Sequence, residues 1–286
     1  MENILELKNV TKKYSEFTLD NISFSLKRGY IMGFIGENGA GKTTTIKLIM
    51  NIISKDGGTI KVLGKDNISF EREVKEKTGF VYDDCFYYEN ISIIDNAKIF
   101  SGFYKEWDWQ IFKNYLSKFS LREKDKVKTL SRGNKMKFAI AIALSHKAEF
   151  LILDEPTSGL DPVMRRDILD ILQDLMEDEK IGILISSHIT SDLEKIADYI
   201  TYIRKGRIVF SESMEEIKDG FKIIKGSKEL AEVIDKSLIY GFRKSAVGFE
   251  ALTNHLQDFD SSVVKQLIVE SPTLDEIMIF MNKGGK

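Results

Sequence analysis

The stretch Gly36-Glu37-Asn38-Gly39-Ala40-Gly41-Lys42-Thr43-Thr44 follows directly on the apolar run Tyr30 to Ile35, and it spells the pattern G-x-x-x-x-G-K-[ST]. With no side chain at Gly36, Gly39 and Gly41, the backbone can bend into a cradle whose N–H groups converge on phosphate oxygens. Apolar spacing at Thr45, Ile46, Leu48, Ile49 and Met50 predicts a helix next, and its positive dipole end points at the same place. Lys42 supplies a point charge for the β- and γ-phosphates, the Thr43 hydroxyl a ligand for Mg²⁺, and Thr44 a further hydrogen bond to phosphate. Strand, glycine loop and helix in that order predict an α/β fold organised around a nucleoside triphosphate.

Composition narrows the partners. The chain has 286 residues, 43% hydrophobic and 30% charged, enough for one large or two modest domains. Lys+Arg 42 against Asp+Glu 44, interspersed along the chain, argue against a nucleic-acid binder or a polybasic membrane-surface protein. One cysteine, Cys85, excludes an intrachain disulfide and a cysteine-rich metal site, which fits a reducing compartment. Met1-Glu2-Asn3 has neither the basic nor the apolar region of a signal peptide, and no run reaches the ~20 apolar residues that a membrane span needs. A membrane role would have to be borrowed from a partner.

Residues 4–10 and 17–28 carry strand character, clearest where Ile22, Phe24 and Leu26 alternate with Ser23 and Ser25. They predict an antiparallel flap ahead of the loop, with Tyr14 in the turn between its strands. That ring either stacks on a nucleotide base or is an ordinary half-exposed turn tyrosine. Gly57-Gly58 is read as a turn into a strand at Thr59 to Leu63, and a charged segment at 71–78 leads to another at Gly79 to Tyr82. Clustered aromatics over 91–119 (Phe100, Phe103, Tyr104, Trp107, Trp109, Phe112, Tyr115, Phe119) stand mostly at helical spacing and predict a small helical insert. Lys and Arg do not interleave with them as a nucleic-acid groove requires, so they read as core.

Phe150-Leu151-Ile152-Leu153-Asp154-Glu155 is a buried-strand pattern that ends in two carboxylates. Such an ending places charge at the carboxyl edge of a parallel sheet, where ligands bind in open α/β folds. Asp154 suits Mg²⁺, through water, and Glu155 suits polarising the water that attacks the γ-phosphate. A further strand, Ile181 to Ser187, ends at His188, which could hydrogen-bond the γ-phosphate and hold that water in line.

Taken together these pieces resemble the ATP-binding cassette family, the nucleotide-binding subunits of membrane transporters, over about the first 210 residues. The resemblance implies a P-loop NTPase (RecA-like) core with an antiparallel β flap and a helical subdomain. Leu130-Ser131-Arg132-Gly133-Asn134 matches the family's leucine-serine-glycine-glycine-glutamine signature. By that match Ser131 and the amides from Gly133 onward would bind the γ-phosphate held by the opposite subunit, so the site is shared by two chains. Asp154 and Glu155 match the second nucleotide-binding strand and its catalytic glutamate, Ser158-Gly159-Leu160-Asp161 the loop that contacts the partner, His188 the switch histidine and Tyr14 the adenine-stacking aromatic.

The resemblance therefore implies that Glu155, His188 and Lys42 carry the chemistry, and that Tyr14, Gly36, Glu37, Asn38, Gly39, Ala40, Gly41, Lys42, Thr43, Thr44, Ser131 and Gly133 bind ATP. Thr43, Asp154 and Asp83 would face Mg²⁺. Two positions depart from the pattern. Arg132 replaces the first signature glycine, and either points away or adds positive charge near phosphate. Asp83 stands where the family has glutamine, so a neutral oxygen becomes an acceptor-only charge that either binds Mg²⁺ more strongly or stands back from it.

The expected organisation is an ATPase domain over 1–215, with its helical subdomain at about 84–148, and a small α+β appendage over 216–286. The Asp83 variant and that tail resemble bacterial exporter-type or resistance-type subunits that work with a separate permease, as homodimers or heterodimers, on the inner face of the cell membrane. Phe86, Tyr87 and Tyr88 are the candidates for the permease-docking groove, against the alternative that they fill the subdomain core. A soluble cassette ATPase and a non-hydrolysing ATP-binding regulator are the rival readings. The compact insert argues against the coiled-coil chromosome proteins, and the complete set of Lys42, Thr43, Asp154, Glu155 and His188 argues against a non-hydrolysing binder.

Overall fold

In the computed structural model, residues 2–82, 87–177, 181–245 and 247–283 are described. Asp83, Asp84, Cys85 and Phe86 lie outside them. The chain forms two compact units, Met1–Ser211 and Glu212–Lys286.

The first unit opens with the flap. Strands β1 (Asn3–Lys13) and β2 (Thr18–Lys27) pair antiparallel, with Leu7 opposite Phe24 and Val10 opposite Ile22. From Ile22 to Leu26 every second side chain of β2 is apolar, so there one face is buried and the other is wet. Strand β3 (Ile31–Ile35) is buried throughout, as a strand covered on both faces must be, and releases the chain into the glycine loop and helix α1 (Lys42–Ile49). The chain returns to the flap as β4 (Gly57–Val62) and β5 (Lys65–Asp66), giving the order β2-β1-β4-β5.

Gly57 and Gly58 lie within β4 rather than in a turn before it. Gly58 has φ +80°, and a Cβ there would sit 2.3 Å from the Asn9 carbonyl oxygen, at an irregularity in the β1–β4 register between Lys8 and Thr11. The glycine serves a bulge, which only the pairing with β1 reveals.

The charged segment after β5 folds as α2 (Glu71–Glu76), followed by β6 (Thr78–Val81). The insert supplies α3 (Ile93–Ser101) and α4 (Trp109–Lys118). Ser92 caps α3 by accepting from Asp95 N–H, and Asp108 caps α4 by accepting from the Gln110 and Ile111 amides. Each such cap is worth about 1 kcal/mol. Phe112 and Phe119 are buried as the aromatic pattern predicts, while Phe103, 73% exposed, is not.

Helix α5 (Arg132–Leu144), capped by Ser131, is buried almost continuously from Met136 onward and delivers the chain to β7 (Phe150–Asp154). Then come α6 (Pro162–Asp174), β8 (Gly182–Ser187), α7 (Thr190–Ile196), β9 (Tyr199–Arg204) and β10 (Arg207–Ser213). The main sheet has the order β10-β9-β3-β8-β7-β6, and within it β9, β3, β8, β7 and β6 run parallel to one another. The carboxyl ends of β3, β8 and β7 therefore stand side by side, which fixes where a ligand can be gripped.

In the second unit, α8 (Met214–Gly220) begins with a reciprocal capping box between Ser213 and Glu216. Strand β11 (Lys222–Gly226), α9 (Lys228–Val233), β12 (Gly241–Lys244), β13 (Phe249–Thr253), α10 (Ser261–Val264), β14 (Ile268–Glu270) and α11 (Leu274–Lys283) follow. They build an antiparallel sheet of order β12-β13-β11-β14, with a core of its own around Ile224, Ala251, Phe249 and Leu230. Among the described residues, no helix of either unit is long and apolar enough to cross a membrane.

Candidate functional site

The glycine loop is fixed by what surrounds it. A Cβ on Gly36 would lie 2.4 Å from the Ile203 carbonyl oxygen in β9, so the loop can pass only if residue 36 has no side chain. Gly39 and Gly41 have φ +80° and +118°, in the region that L side chains avoid. Lys42 is 6% exposed and donates to the Gly36 carbonyl at 2.7 Å, so its charge is held directly over the cradle.

Three carboxyl-end residues gather beside the loop, and one of them, Glu155, meets that lysine. Asp154, at the end of β7, accepts from the Ser186 hydroxyl of β8 and from the Thr43 hydroxyl at 3.3 Å. Glu155 has φ +53°, a left-handed conformation that costs a glutamate about 1–2 kcal/mol, and its amide is anchored to the Ser186 carbonyl at 3.0 Å. The turn aims its carboxylate inward. One oxygen lies 3.6 Å from Lys42 Nζ, and the other accepts from the His188 amide at 3.2 Å and faces His188 Nδ1 at 2.7 Å. Nearby, burial and then the charge of Asp154 push the Tyr82 hydroxyl above its ordinary pKa.

A cleft of about 590 Å³ is lined by Tyr14, Glu16, Phe17, residues 37–39 and 41–44, and Glu155. That is within the range of ordinary small-molecule sites, roughly 300–1,000 Å³. Tyr14 is 46% exposed, with Lys12 Nζ 5.6 Å from its ring centroid and Phe17 6.4 Å away, and an exposed ring in the cleft wall is what a stacking base needs. The donor set fits a magnesium nucleoside triphosphate: amides and Lys42 for phosphate, the Thr43 hydroxyl and Asp154 for the ion. Among the described residues there is no group of three or more His, Cys, Asp or Glu that could hold a metal by themselves.

The structure thus brings Tyr14, the residues of 36–44, Asp154, Glu155 and His188 together. Asp83 falls outside the described residues. Ser131 and Gly133 do not line this cleft. Ser131 accepts from Asn134 N–H as the cap of α5, and a Cβ on Gly133 would meet Met164 Cγ at 2.0 Å. Arg132 extends over Gly159, where an added Cβ would lie 2.7 Å from its Nη1. Three residues escaped the sequence reading: Ser186, which holds Asp154, and Glu16 and Phe17, which wall the cleft beside Tyr14. The Ser186-Ser187 pair that closes an otherwise apolar strand was the available signal for the first.

A second cavity, of about 280 Å³, lies between the core and the insert, with Met50, Lys75, Phe80, Tyr87, Phe100 and Tyr104 in its wall. Tyr87 packs on Phe100 and Phe138, with ring centroids 5.1 and 4.7 Å apart, whereas Tyr88 is 61% exposed. Of the adjacent tyrosines, one is thus half-buried against these rings and the other stands at the surface.

The model of the family described as ABC transporter matches residues 19–158. A bacitracin transport ATP-binding protein of Enterococcus faecalis is 34% identical over 274 residues, 92% of this chain and 87% of its own length. A lantibiotic transport ATP-binding protein of Streptococcus pyogenes is 32% identical over 244 residues, 84% of this chain and all of its own length. Among solved structures, a subunit of an ABC transporter complex from Clostridium perfringens superposes with a TM-score of 0.68 at 25% identity, covering 76% of this chain and 91% of that one.

Proposed function

The chain belongs to the ABC transporter family as an ATP-binding subunit, and on that premise we propose that it hydrolyses ATP to drive a separate membrane permease, as an exporter, through closure of an ATP-bound dimer. The observation that carries this reading is the placement of Glu155 between Lys42 and His188 at the mouth of the phosphate cradle. Lys42 and the loop amides bind the β- and γ-phosphates. Glu155 accepts the proton of the attacking water, and His188, fixed on the far oxygen of Glu155, orients that water and the γ-phosphate. Thr43 and Asp154 hold Mg²⁺, which when bound neutralises charge on the phosphate oxygens. Tyr14 stacks on the base.

Ser131 and Gly133 act on the nucleotide of the partner subunit, which is supported by their absence from the lining of the chain's own cleft. Closure then brings two signature helices onto two cradles. Exporter direction is supported by relatives named for bacitracin and lantibiotic transport. The shared site has a kinetic consequence. Mg²⁺-dependent hydrolysis by the full chain should rise with about the second power of protein concentration in the dilute range, as a bimolecular assembly requires. Strict proportionality down to the lowest measurable concentration would mean that each chain hydrolyses ATP alone.

The second cavity is the proposed permease dock, with the exposed Tyr88 next in sequence to Tyr87 of its wall and the exposed Phe103 ring 6.5 Å from Phe100 of its wall. A partner seated there would turn relative motion of insert and core into displacement. Tyr87→Ser should lower stability by about 3 kcal/mol, since it removes a ring packed between two phenylalanines. Tyr88→Ser should change it by less than about 0.5 kcal/mol. Urea unfolding of both variants checks this, and equal losses would place Tyr88 in the core and off the docking surface.

A further inference from the structure

We propose that Arg165 and Asp192 form a positioning pair that sets the register of His188 against Glu155. Arg165 lies in the first turn of α6, its amide bonded to the Asp161 carbonyl at 2.9 Å. Asp192 lies in the first turn of α7, directly after His188 and Ile189. Arg165 Nε and Asp192 Oδ2 are 3.6 Å apart, an ion pair without hydrogen-bond geometry. Asp192 is 2% exposed, and neither of its carboxylate oxygens, nor Arg165 Nε, has a hydrogen-bond partner among the described residues.

With Asp192 buried and the Arg165 side chain 31% exposed, a charge pair of that kind is a poor source of stability. Desolvation of the carboxylate offsets most of the attraction, and apolar replacements of similar volume commonly do as well or better. What the pair supplies that apolar side chains do not is a fixed point. Leu169, Leu172, Leu193 and Ile196 are buried on the two helices, and aliphatic contacts tolerate small slides of one helix along another. The attraction between the buried carboxylate and the half-buried guanidinium falls as they are drawn apart, so α7 is held at one position along α6. Since α7 follows His188 within two residues, that position decides where the imidazole meets Glu155, now 2.7 Å away.

The other side of α6 touches the signature segment. Met164, next to Arg165, fills the space that a side chain on Gly133 would need, and Asp167 pairs with Lys137 of α5 at 3.0 Å. A displacement of residues 131–137 is therefore passed to α6, and by the ion pair to α7 and His188. This last link rests on the shared-site reading given above, whereas the positioning of His188 does not.

The test compares the full-length chain with Asp192→Asn and with the double replacement Arg165→Met/Asp192→Leu. Three quantities are read: the thermal midpoint, kcat and KM for ATP, and the imidazole NMR resonances of His188, which are tractable because the chain has three histidines. Asp192→Asn should lower the thermal midpoint. The double replacement should restore it to the wild-type value or above. In both, kcat should stay about tenfold below wild type with KM changed less than about twofold, and the His188 resonances should remain displaced. Recovery of turnover and of the His188 resonances together with the thermal midpoint would overturn the proposal and make the pair a packing feature. So would wild-type resonances in Asp192→Asn. If the wild-type chain itself hydrolysed no ATP, the functional reading would fall, and the resonances alone would still decide whether the pair positions His188.

Discussion

Glu155→Gln is expected to bind ATP with near wild-type affinity and to hydrolyse it about a thousandfold more slowly, the range in which loss of a general base falls. Glutamine keeps the volume, and its carbonyl can still accept from the His188 amide, which Glu155 engages at 3.2 Å. It cannot take a proton from water. It also removes the negative charge that faces Lys42 at 3.6 Å, so the lysine loses a competitor for its attraction to phosphate. The product should be a stalled, ATP-loaded dimer. Size-exclusion chromatography with ATP would show it, at protein concentrations where the nucleotide-free chain runs as a monomer. If the variant stays monomeric, dimer closure loses its support. If it turns over ATP at the wild-type rate, Glu155 is not the base.

Gly36→Ala should abolish nucleotide binding, with a loss in affinity of about a hundredfold or more, equivalent to roughly 3 kcal/mol. The obstacle is backbone, not side chain. The new methyl would sit 2.4 Å from the Ile203 carbonyl oxygen and 3.0 Å from Ile203 Cγ2, and Ile203 belongs to β9, which pairs with β3 in the main sheet. Neither strand can withdraw without breaking the ladder that orients the cradle amides, and overpacking of this kind costs about 1–3 kcal/mol of stability besides. Gly39→Ala is the control. Its φ of +80° strains an alanine, by about 1 kcal/mol, but nothing lies within 4 Å of the added carbon, so affinity should fall by tenfold at most. Fluorescence titration with a labelled ATP analogue separates the two. Equal effects at 36 and 39 would mean that backbone conformation, not the contact with β9, decides the geometry of the loop.

How much of this was legible beforehand follows the range of the interactions. The cradle was legible because glycine spacing, the lysine and the preceding apolar strand act within a few residues of one another, and local backbone chemistry fixes their shape. Asp154 and His188 could be placed at one edge because a buried strand must end where its charges can be satisfied, and parallel strands end together. The helical character of the insert was likewise written in its spacing, whereas the caps Ser92 and Asp108 were seen only in the structure.

What the tertiary structure alone decided are the meetings of residues distant in sequence. Gly58 reads as a turn residue until β1 lies beside it, and then it is the bulge opposite Asn9. Tyr87 and Tyr88 are chemically alike and adjacent, and only the approach of Phe100 and Phe138 sends one inward. Gly133 fits the signature pattern, yet within the chain its lack of a side chain admits Met164. The 2.7 Å contact between His188 and Glu155, and the ion pair of α6 with α7, depend on sub-ångström placement of whole helices and strands. Sequence pattern specifies which face of an element is buried. The depth and register at which two faces meet are set by the packing of every side chain between them, and that sum has no signature at any one position.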